Sequence, residues 1–177
     1  MGEAGRERGG VLRHRVVRGA VLVAAAAMLC GGLPAIDTRE AAPRFRAKTL
    51  EGEEFTNASL KGKVVLLQFW TTWCGYCRRE QPVVDALVHD FADRGLVVLA
   101  VDVGESKRKV TQFLERSPRA CKVVAMEDTN LAAMFATNSF PLYVVIDRDG
   151  KIVGKQRGAA GEDALRRMLG KAGLGAE

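Results

Sequence analysis

One apolar run that leads directly into a closely spaced cysteine pair constrains the fold more than any other feature of this chain. The run covers residues 63–70, with the sequence KVVLLQFW. Its β-branched and aromatic residues predict a central strand that is buried on both faces. The segment TTWCGYC follows with Cys74 and Cys77, and from Cys77 to Asp93 apolar residues recur at helical spacing. The cysteine pair is therefore predicted to lie between a buried strand and an amphipathic helix.

The rest of the chain alternates predicted strands with predicted helices. A small β-hairpin is expected between Phe45 and Phe55, before the central strand. This order predicts an α/β fold with a mixed central sheet flanked by helices and with an N-terminal β-hairpin extension. The later elements are a strand at 96–103, a helix around 110–114, a strand at 121–126, a short helix at 131–135, hairpin strands at 142–147 and 152–156, and a final helix at 162–169.

Residues 1–36 have the pattern of an export signal. Five arginines precede an uncharged run at residues 19–36, as in a secretory signal peptide. The run is also long enough to just span a bilayer as a helix, so a cleaved signal peptide and an uncleaved membrane anchor both stay open. In either case we expect the folded domain to lie outside the cytoplasm, in the periplasm or on the outer face of the membrane. Because lipoprotein processing needs a small residue where Leu29 stands, Cys30 is interpreted as part of the apolar leader.

The part of the chain after the leader predicts one folded domain at residues 43–172. A short linker at 37–42 precedes it, and a C-terminal tail at 173–177 follows it. The formal net charge of +6 is partly due to the leader, since residues 1–35 hold five Arg and two Glu. The other residues carry 22 Lys and Arg against 19 Asp and Glu. An excess this small, and this evenly spread, argues against nucleic acid as a partner.

A CxxC motif at the start of a helix has a specific chemical use. Unpaired N–H groups and a partial positive charge at a helix N-terminus favour a thiolate, so Cys74 is expected to be a nucleophile near neutral pH. Cys77 can then attack a mixed disulfide on Cys74 and release the substrate. We expect this redox-active disulfide to work without a metal or other cofactor. A structural zinc site normally needs four ligands, and only His14 and His89 could supply imidazole.

Two segments of the chain resemble a known family. Residues 69–82, FWTTWCGYCRREQP, resemble the active-site segment of the thioredoxin superfamily. From Ala42 to about Leu169 the chain resembles the exported, membrane-associated TlpA/ResA-like branch, beginning with its opening hairpin. The later segment FPLYVVIDRDGKIV resembles a late strand of that branch, with Pro141 at the position of the fold's cis-proline. The resemblance implies a thioredoxin-like fold and thiol-disulfide oxidoreductase activity.

The same resemblance implies a role for each residue around the motif. Cys74 would be the attacking nucleophile, and Cys77 would be the resolving cysteine. We expect Cys74 to be exposed at the helix start and Cys77 to be shielded one turn inside. If the bond before Pro141 is cis, as the resemblance implies, it would bring the backbone of Phe140 against the disulfide. The substrate-binding residues implied in this way are Trp73, Gly75, Tyr76, Phe140 and Pro141.

The resemblance further implies an extracytoplasmic dithiol reductase. Such an enzyme passes electrons to disulfides of exported proteins and receives them from an upstream thiol donor in the membrane. Apocytochrome c thiols that await haem are one implied substrate class, which suggests a place in cytochrome c maturation. A disulfide oxidase or isomerase with the same cysteines stays open. Gly75 and Tyr76 lack the proline common in reducing members, and Phe140 is bulkier than the residue usual before the cis-proline.

Two other classes of protein were weighed against this interpretation. Thr71 and Cys74 match the TxxC part of a thiol peroxidase site, but Leu67 stands where that site has a proline. A copper chaperone could bind Cu(I) through the two thiolates. The copper-delivery relatives of this fold use CxxxC with a distant histidine, and this chain has neither. Hydrogen-peroxide turnover and copper retention are the measurements that separate these classes from the oxidoreductase.

The proton that disulfide exchange moves needs a carrier. Thioredoxins resemble one another in a buried Asp on the central strand, and Gln68 stands at that position and cannot titrate. Glu80 lies three residues after Cys77 and on the same face of the predicted helix. TlpA/ResA-like proteins also carry an acid at this place, so Glu80 is expected to be buried and to act as acid and base. Cys121, in a predicted strand, is interpreted as a buried free thiol without a role.

Overall fold

The computed structural model describes residues 39–175, which fold around one seven-stranded sheet. The strands are β1 (Arg46–Thr49), β2 (Glu54–Thr56), β3 (Val64–Trp70), β4 (Leu96–Asp102), β5 (Lys122–Thr129), β6 (Leu142–Ile146) and β7 (Ile152–Arg157). The helices are α1 (Gly75–Phe91), α2 (Lys107–Leu114), α3 (Leu131–Phe135) and α4 (Glu162–Leu169). A 3₁₀ turn at Ala92–Arg94 follows α1, and a wide helical turn at Gly170–Leu174 follows α4.

The sheet is mixed, with the strand order β2-β1-β5-β4-β3-β6-β7. Strands β3, β4 and β5 are parallel neighbours, while the pairs at both edges are antiparallel. The opening hairpin of β1 and β2 extends the sheet beyond β5. The predicted α/β class, with a mixed sheet flanked by helices and an N-terminal hairpin, is confirmed.

Strand β3 lies in the middle of the sheet and has no exposed residue along its whole length. Because side chains alternate between the two faces of a strand, it supplies both halves of the core. Val64, Leu66 and Trp70 pack in the cluster that contains the active-site cysteines and the buried face of α1. Val65 and Leu67, with Phe69, pack on the opposite face of the sheet against the hairpin and α3. The continuous apolar run therefore predicted the burial of this strand correctly.

Helix α1 begins directly after the cysteine that follows the β3 loop. Cys74 has extended backbone angles and is the N-cap residue, and its Sγ accepts a hydrogen bond from the backbone N–H of Cys77. An N-cap side chain of this kind satisfies one of the N–H groups that a helix start leaves unpaired. The buried face of α1 is formed by Cys77, Glu80, Gln81, Val84, Leu87 and Phe91.

The folded region reaches further at both ends than the sequence indicated. The backbone N–H of Ala42 donates to Gly150, and that of Ile152 donates to Glu40, so residues from the expected linker pair with the β6–β7 turn. At the other end Leu174 is buried, although it was assigned to the tail. The contacts at residues 40–42 are backbone hydrogen bonds, which leave no pattern of side chains in the sequence.

The predicted leader, including the apolar run at 19–36 and Cys30, lies outside the described residues. Among residues 39–175, none of the helices has both the length and the apolar character that a membrane span requires.

Candidate active site

Cys74 and Cys77 form a disulfide at the N-terminus of α1, with their sulfur atoms 2.09 Å apart and their Cα atoms 5.3 Å apart. Cys77 is completely buried, as expected. Cys74 is only 5% exposed, so the expectation of an exposed Cys74 is wrong for this oxidised form. The sulfur of Cys74 is bonded to Cys77 and also accepts the N–H of that residue at 3.1 Å, which turns it towards the helix. The difference in accessibility between the two cysteines still has the predicted direction.

Exposed aromatic side chains surround this disulfide. Trp73 is 64% exposed and Tyr76 is 58% exposed, although both are large and largely apolar. The Trp73 ring meets the Phe140 ring edge-on, with 6.0 Å between the ring centroids. The guanidinium of Arg79 lies over the Tyr76 ring at 4.4 Å, a cation–π contact. Aromatic side chains left in solvent in this way are typical of surfaces that bind another protein.

The contact between Trp73 and Phe140 places the β6 entry segment beside the cysteine motif. The peptide bond between Phe140 and Pro141 is cis, which confirms the prediction for this bond. Pro141 is buried, and its carbonyl accepts the backbone N–H of Gly158. Phe140 packs against the core cluster that contains both cysteines. Gly75 has ordinary space around it, because an added Cβ would come no closer than 3.7 Å to a side-chain nitrogen of Arg79.

Glu80 is buried on the face of α1 that carries Cys77, so the predicted burial is confirmed. Its Oε2 accepts the hydroxyl of Tyr143 at 2.9 Å. Its Oε1 accepts the backbone N–H groups of Ala160 and Gly161, which belong to the loop before α4. A carboxylate held by three donors has a fixed orientation. The acid/base role of Glu80 stays a prediction.

Two carboxyl groups, those of Asp102 and Glu105, support the loop before Cys74, and no sequence pattern predicts them. Glu105 accepts the backbone N–H of Thr72 through Oε2 and the Thr72 hydroxyl through Oε1, at 2.5 Å and 2.7 Å. Lys109 forms a salt bridge with the same carboxylate, at 2.6 Å. Asp102, at the end of β4, accepts the backbone N–H of Glu105. Thr72 and Glu105 are 33 residues apart in sequence, and Glu105 belongs to no recognisable motif.

The two carboxyl groups of this pair have opposite proton affinities. Burial, together with the hydrogen bond to and the charge of the neighbouring Glu105, raises the pKa of Asp102 to about 7. Burial also acts to raise the pKa of Glu105, but hydrogen bonds from Lys109 and Thr72 outweigh it and lower that pKa to about 2. One shared proton on Asp102 beside an ionised Glu105 is the expected state, because two adjacent buried carboxylates repel each other.

Cys121 is a buried free thiol, as the sequence analysis expected. Burial raises its pKa to about 11, and a thiol of this kind is a poor nucleophile at neutral pH. Its sulfur lies 3.9 Å from Nε2 of Gln81, on the buried face of α1. Within residues 39–175, His, Cys, Asp and Glu side chains form no group of three that could hold a metal ion.

A buried strand, a disulfide at the N-terminus of the following helix and a cis-proline beside it define a thioredoxin-like thiol-disulfide oxidoreductase. The comparison with known families agrees: the sequence model of the AhpC/TSA family matches residues 38–155, and the chain belongs to that family.

Curated relatives and solved structures narrow this class. The chain is 32% identical over 130 residues to the thiol-disulfide oxidoreductase ResA of Bacillus cereus, covering 73% of this chain and 75% of that protein. It is 34% identical over 118 residues to ResA of Geobacillus thermodenitrificans, covering 67% and 68% of the two chains. A crystal structure of a thiol:disulfide interchange protein of the thioredoxin family from Chlorobium tepidum matches with a TM-score of 0.69 and 28% identity. That match covers 80% of this chain and 100% of the other. The TlpA/ResA-like resemblance is therefore confirmed.

Proposed function

We propose that this protein is an extracytoplasmic dithiol reductase that reduces disulfides of exported proteins, with apocytochrome c among its substrates. The observation that carries the proposal is the cysteine pair at the start of α1, where Cys74 keeps some accessible surface and Cys77 has none. The exposed rings of Trp73 and Tyr76 beside it offer a contact surface for a protein partner. The similarity to ResA proteins supports the same class of chemistry.

Two exchange steps describe the proposed reaction. In the reduced enzyme the thiolate of Cys74 attacks one sulfur of a substrate disulfide, which forms a mixed disulfide and releases one substrate thiolate. The thiol of Cys77 then loses its proton to Glu80, and its thiolate attacks Cys74. The second substrate thiolate leaves, and the Cys74–Cys77 disulfide forms. Two electrons have passed to the substrate, and an upstream membrane thiol donor must return two to the enzyme.

Trapping the mixed disulfide tests the assignment of the two cysteines. The full chain with Cys77→Ser cannot resolve its substrate complex, so partners should accumulate on Cys74 and can be identified by mass spectrometry after non-reducing purification. The control is the double variant Cys74→Ser/Cys77→Ser, which keeps Cys30 and the buried Cys121. Equal amounts of adduct in the double variant and in Cys77→Ser, or adducts on Cys77 in a Cys74→Ser chain, would contradict the assignment.

The direction of electron flow is a separate question, and the reduction potential answers it. A reductase should have a potential at least as reducing as the glutathione couple. Equilibration of the full chain with glutathione mixtures, read by alkylation, measures it directly. A more oxidising value would replace the reductase with an oxidase or isomerase that uses the same cysteines. A kinetic comparison of an oxidised CxxCH peptide with oxidised insulin then tests the preference for apocytochrome c.

The role of Glu80 has its own measurement. Glu80→Gln keeps the shape of the side chain but removes the proton acceptor, so resolution of the mixed disulfide should slow by about tenfold to a hundredfold. The first attack, by Cys74, should change little. Glu115→Gln is the matched control, because Glu115 is exposed at the end of α2. Equal slowing of both steps would indicate a structural defect instead of a lost base.

Cell location is tested on the intact chain. A membrane-impermeant maleimide applied to whole cells should label reduced Cys74 when the domain lies outside the cytoplasmic membrane. Labelling that requires lysis would contradict the proposed location.

A further inference from the structure

A row of polar side chains crosses the interior beneath the active site and ends at Glu80. Arg119 donates from Nη1 to Oε1 of Gln68 at 3.1 Å. Gln68 donates from Nε2 to the hydroxyl of Tyr143 at 3.3 Å, and Tyr143 donates to Oε2 of Glu80 at 2.9 Å. Gln68 and Tyr143 are fully buried. A positive group and a carboxylate are thus joined through two neutral side chains.

The sheet brings the two neutral members together. Gln68 in β3 pairs with Tyr143 in β6 on one side and with Ala100 in β4 on the other, so all three side chains share one face. That face packs against α1, which carries Glu80. Because Ala100 ends at a methyl group, it leaves the far side of Gln68 open to Arg119. This row of side chains therefore results from the strand register, since its members are far apart in sequence.

Arg119 fixes the direction of every hydrogen bond in this row. A guanidinium has donors only, so the atom of Gln68 that faces it must be the amide oxygen. The amide nitrogen of Gln68 then faces Tyr143 and occupies the phenol oxygen as an acceptor. The single proton of the Tyr143 hydroxyl is left to point at Glu80. A glutamine amide has no intrinsic preference for either orientation, and here the cation removes that freedom.

The cation is itself held in an unusual place. The guanidinium of Arg119 lies 3.5 Å from the centroid of the Trp70 ring, and its buried Nε has no hydrogen-bond partner in the described part of the chain. Burial lowers its pKa. Among residues 39–175 it forms no salt bridge with a carboxylate, although Asp85 and the thiol of Cys121 lie close enough to influence it. Burying a cation is costly without compensation. The hydrogen bonds of the row connect this cation to the carboxyl group of Glu80.

The two carboxyl oxygens of Glu80 accept hydrogen bonds from different kinds of donor. Oε1 faces two backbone N–H groups, from Ala160 and Gly161, which cannot turn. Oε2 faces only the hydroxyl of Tyr143, which rotates. Oε2 has two lone pairs, so it can take the proton of Cys77 on one while it accepts from Tyr143 on the other. Tyr143 cannot reverse its own hydrogen bond to favour that acid form, because Gln68 cannot accept the phenol proton while Arg119 holds its amide oxygen.

We propose that Arg119, acting through Gln68 and Tyr143, is a positioning residue that makes Tyr143 donate to Oε2 of Glu80 and so sets the pH dependence of the attack by Cys77. The proposal rests on the acid/base role of Glu80 in the proposed function. Removing Arg119 frees Gln68 to flip, so that its oxygen accepts from Tyr143 and Tyr143 accepts from a protonated Glu80. The reversed row stabilises the acid form, and resolution then needs a higher pH.

Within residues 39–175, the hydrogen bonds of Glu80 come from Tyr143 and from the loop before α4. From its own helix the neighbour is Cys77, whose proton it is proposed to take. From β6 it meets Tyr143, whose pKa is raised by burial and by the Glu80 charge. The loop before α4 contributes backbone N–H groups. Arg119 is therefore the charged residue at the far end of the row that ends at Glu80.

Single-turnover kinetics test the proposal on the full reduced chain. One equivalent of 5,5′-dithiobis(2-nitrobenzoate) places a mixed disulfide on Cys74, and the second release of thionitrobenzoate reports the attack by Cys77. Arg119→Met should move the half-maximal pH of this second release upwards by about one unit. Tyr143→Phe, which breaks the last link, should also change the profile, and Arg119→Lys should restore part of the wild-type behaviour. The matched control is Arg116→Met, because Arg116 is exposed.

Combining variants separates failure of this proposal from failure of the proposed function. In a Glu80→Gln background, Arg119→Met should cause no further shift. A wild-type profile for Glu80→Gln would overturn the role of Glu80 itself. A second outcome is that resolution in Glu80→Gln is slow at every pH, while Arg119→Met and Tyr143→Phe keep the wild-type pH profile. That outcome would overturn the role of Arg119 and leave the role of Glu80 intact. If Arg119→Met does not fold, the profile of Tyr143→Phe decides, since that change removes a single oxygen atom.

Discussion

Asp102 should make the stability of this protein fall as the pH rises towards neutrality. Its pKa is raised from 3.8 to about 7 in the folded protein, so the folded state keeps a proton that the unfolded chain releases. The stability due to that proton is complete below pH 3.8 and is lost as the pH rises through about 7. Glu105 has the opposite behaviour, because its lowered pKa adds stability above its ordinary value of 4.5. Above about pH 5.5 the Glu105 contribution is nearly constant, and the change with pH belongs to Asp102.

The magnitude follows from the proton difference. One proton changes the free energy of unfolding by about 1.4 kcal/mol for each pH unit. Between about pH 5.5 and 7 this term alone should cost the wild-type protein about 1.5–2 kcal/mol. In Asp102→Asn the amide can still accept the N–H of Glu105 and donate to its carboxylate, in place of the protonated acid. The variant should lose the pH dependence, so its stability relative to wild type should rise between about pH 5.5 and 7.

Urea unfolding of the oxidised protein across this pH range measures the effect. The difference in unfolding free energy between Asp102→Asn and wild type cancels the other titrating groups. Asp149→Asn is the control, because Asp149 is exposed in the β6–β7 turn. A difference that stays constant from about pH 5.5 to 7.5 would refute the shared-proton account of Asp102 and Glu105.

Three further outcomes are expected. Leu67→Ala removes a fully buried side chain from the core on the face away from α1, and should lower the free energy of unfolding by about 2–5 kcal/mol in urea titrations. The thiol of Cys121 should resist iodoacetamide in the native protein at about pH 8, because burial raises its pKa to about 11. Rapid alkylation of Cys121, detected by mass spectrometry, would contradict its burial. Gly95→Ala should lower the melting temperature, since Gly95 has φ 84° and an added Cβ would lie 3.3 Å from Nη1 of Arg148. The expected cost is about 1 kcal/mol.

The sequence predicted the active-site framework because local patterns determine it. The apolar run at 63–70 requires a buried strand, and the helical spacing after Cys77 requires a helix whose first turn holds the cysteines. The burial of Glu80 follows from its position one turn beyond Cys77. The cis bond before Pro141 came from the family resemblance and not from spacing.

The supporting polar contacts could not be predicted in the same way. The contact between Thr72 and Glu105 joins two loops whose approach depends on the parallel pairing of β3 with β4. The link from Gln68 to Arg119 depends on a side chain that enters from the segment before β5 and crosses over the Trp70 ring. In the sequence Arg119 follows a proline in a polar, charged segment, which is the usual pattern of a solvated loop. Tertiary packing, which no local periodicity encodes, decides these cases.

The cysteines that carry the electrons lie only three positions apart in sequence. A cross-link that closes so short a loop restricts the unfolded chain little, and the loop-entropy relation gives it about 2 kcal/mol, less than for longer loops. The large sheet and the helix around it do not depend on that bond for their packing. Reduction should therefore lower the free energy of unfolding by no more than about 2 kcal/mol, which raises the unfolded population that a protease can attack by about thirtyfold at most. Because most of the stability of the fold does not come from this bond, the chain can pass repeatedly between its two redox forms and stay folded in both.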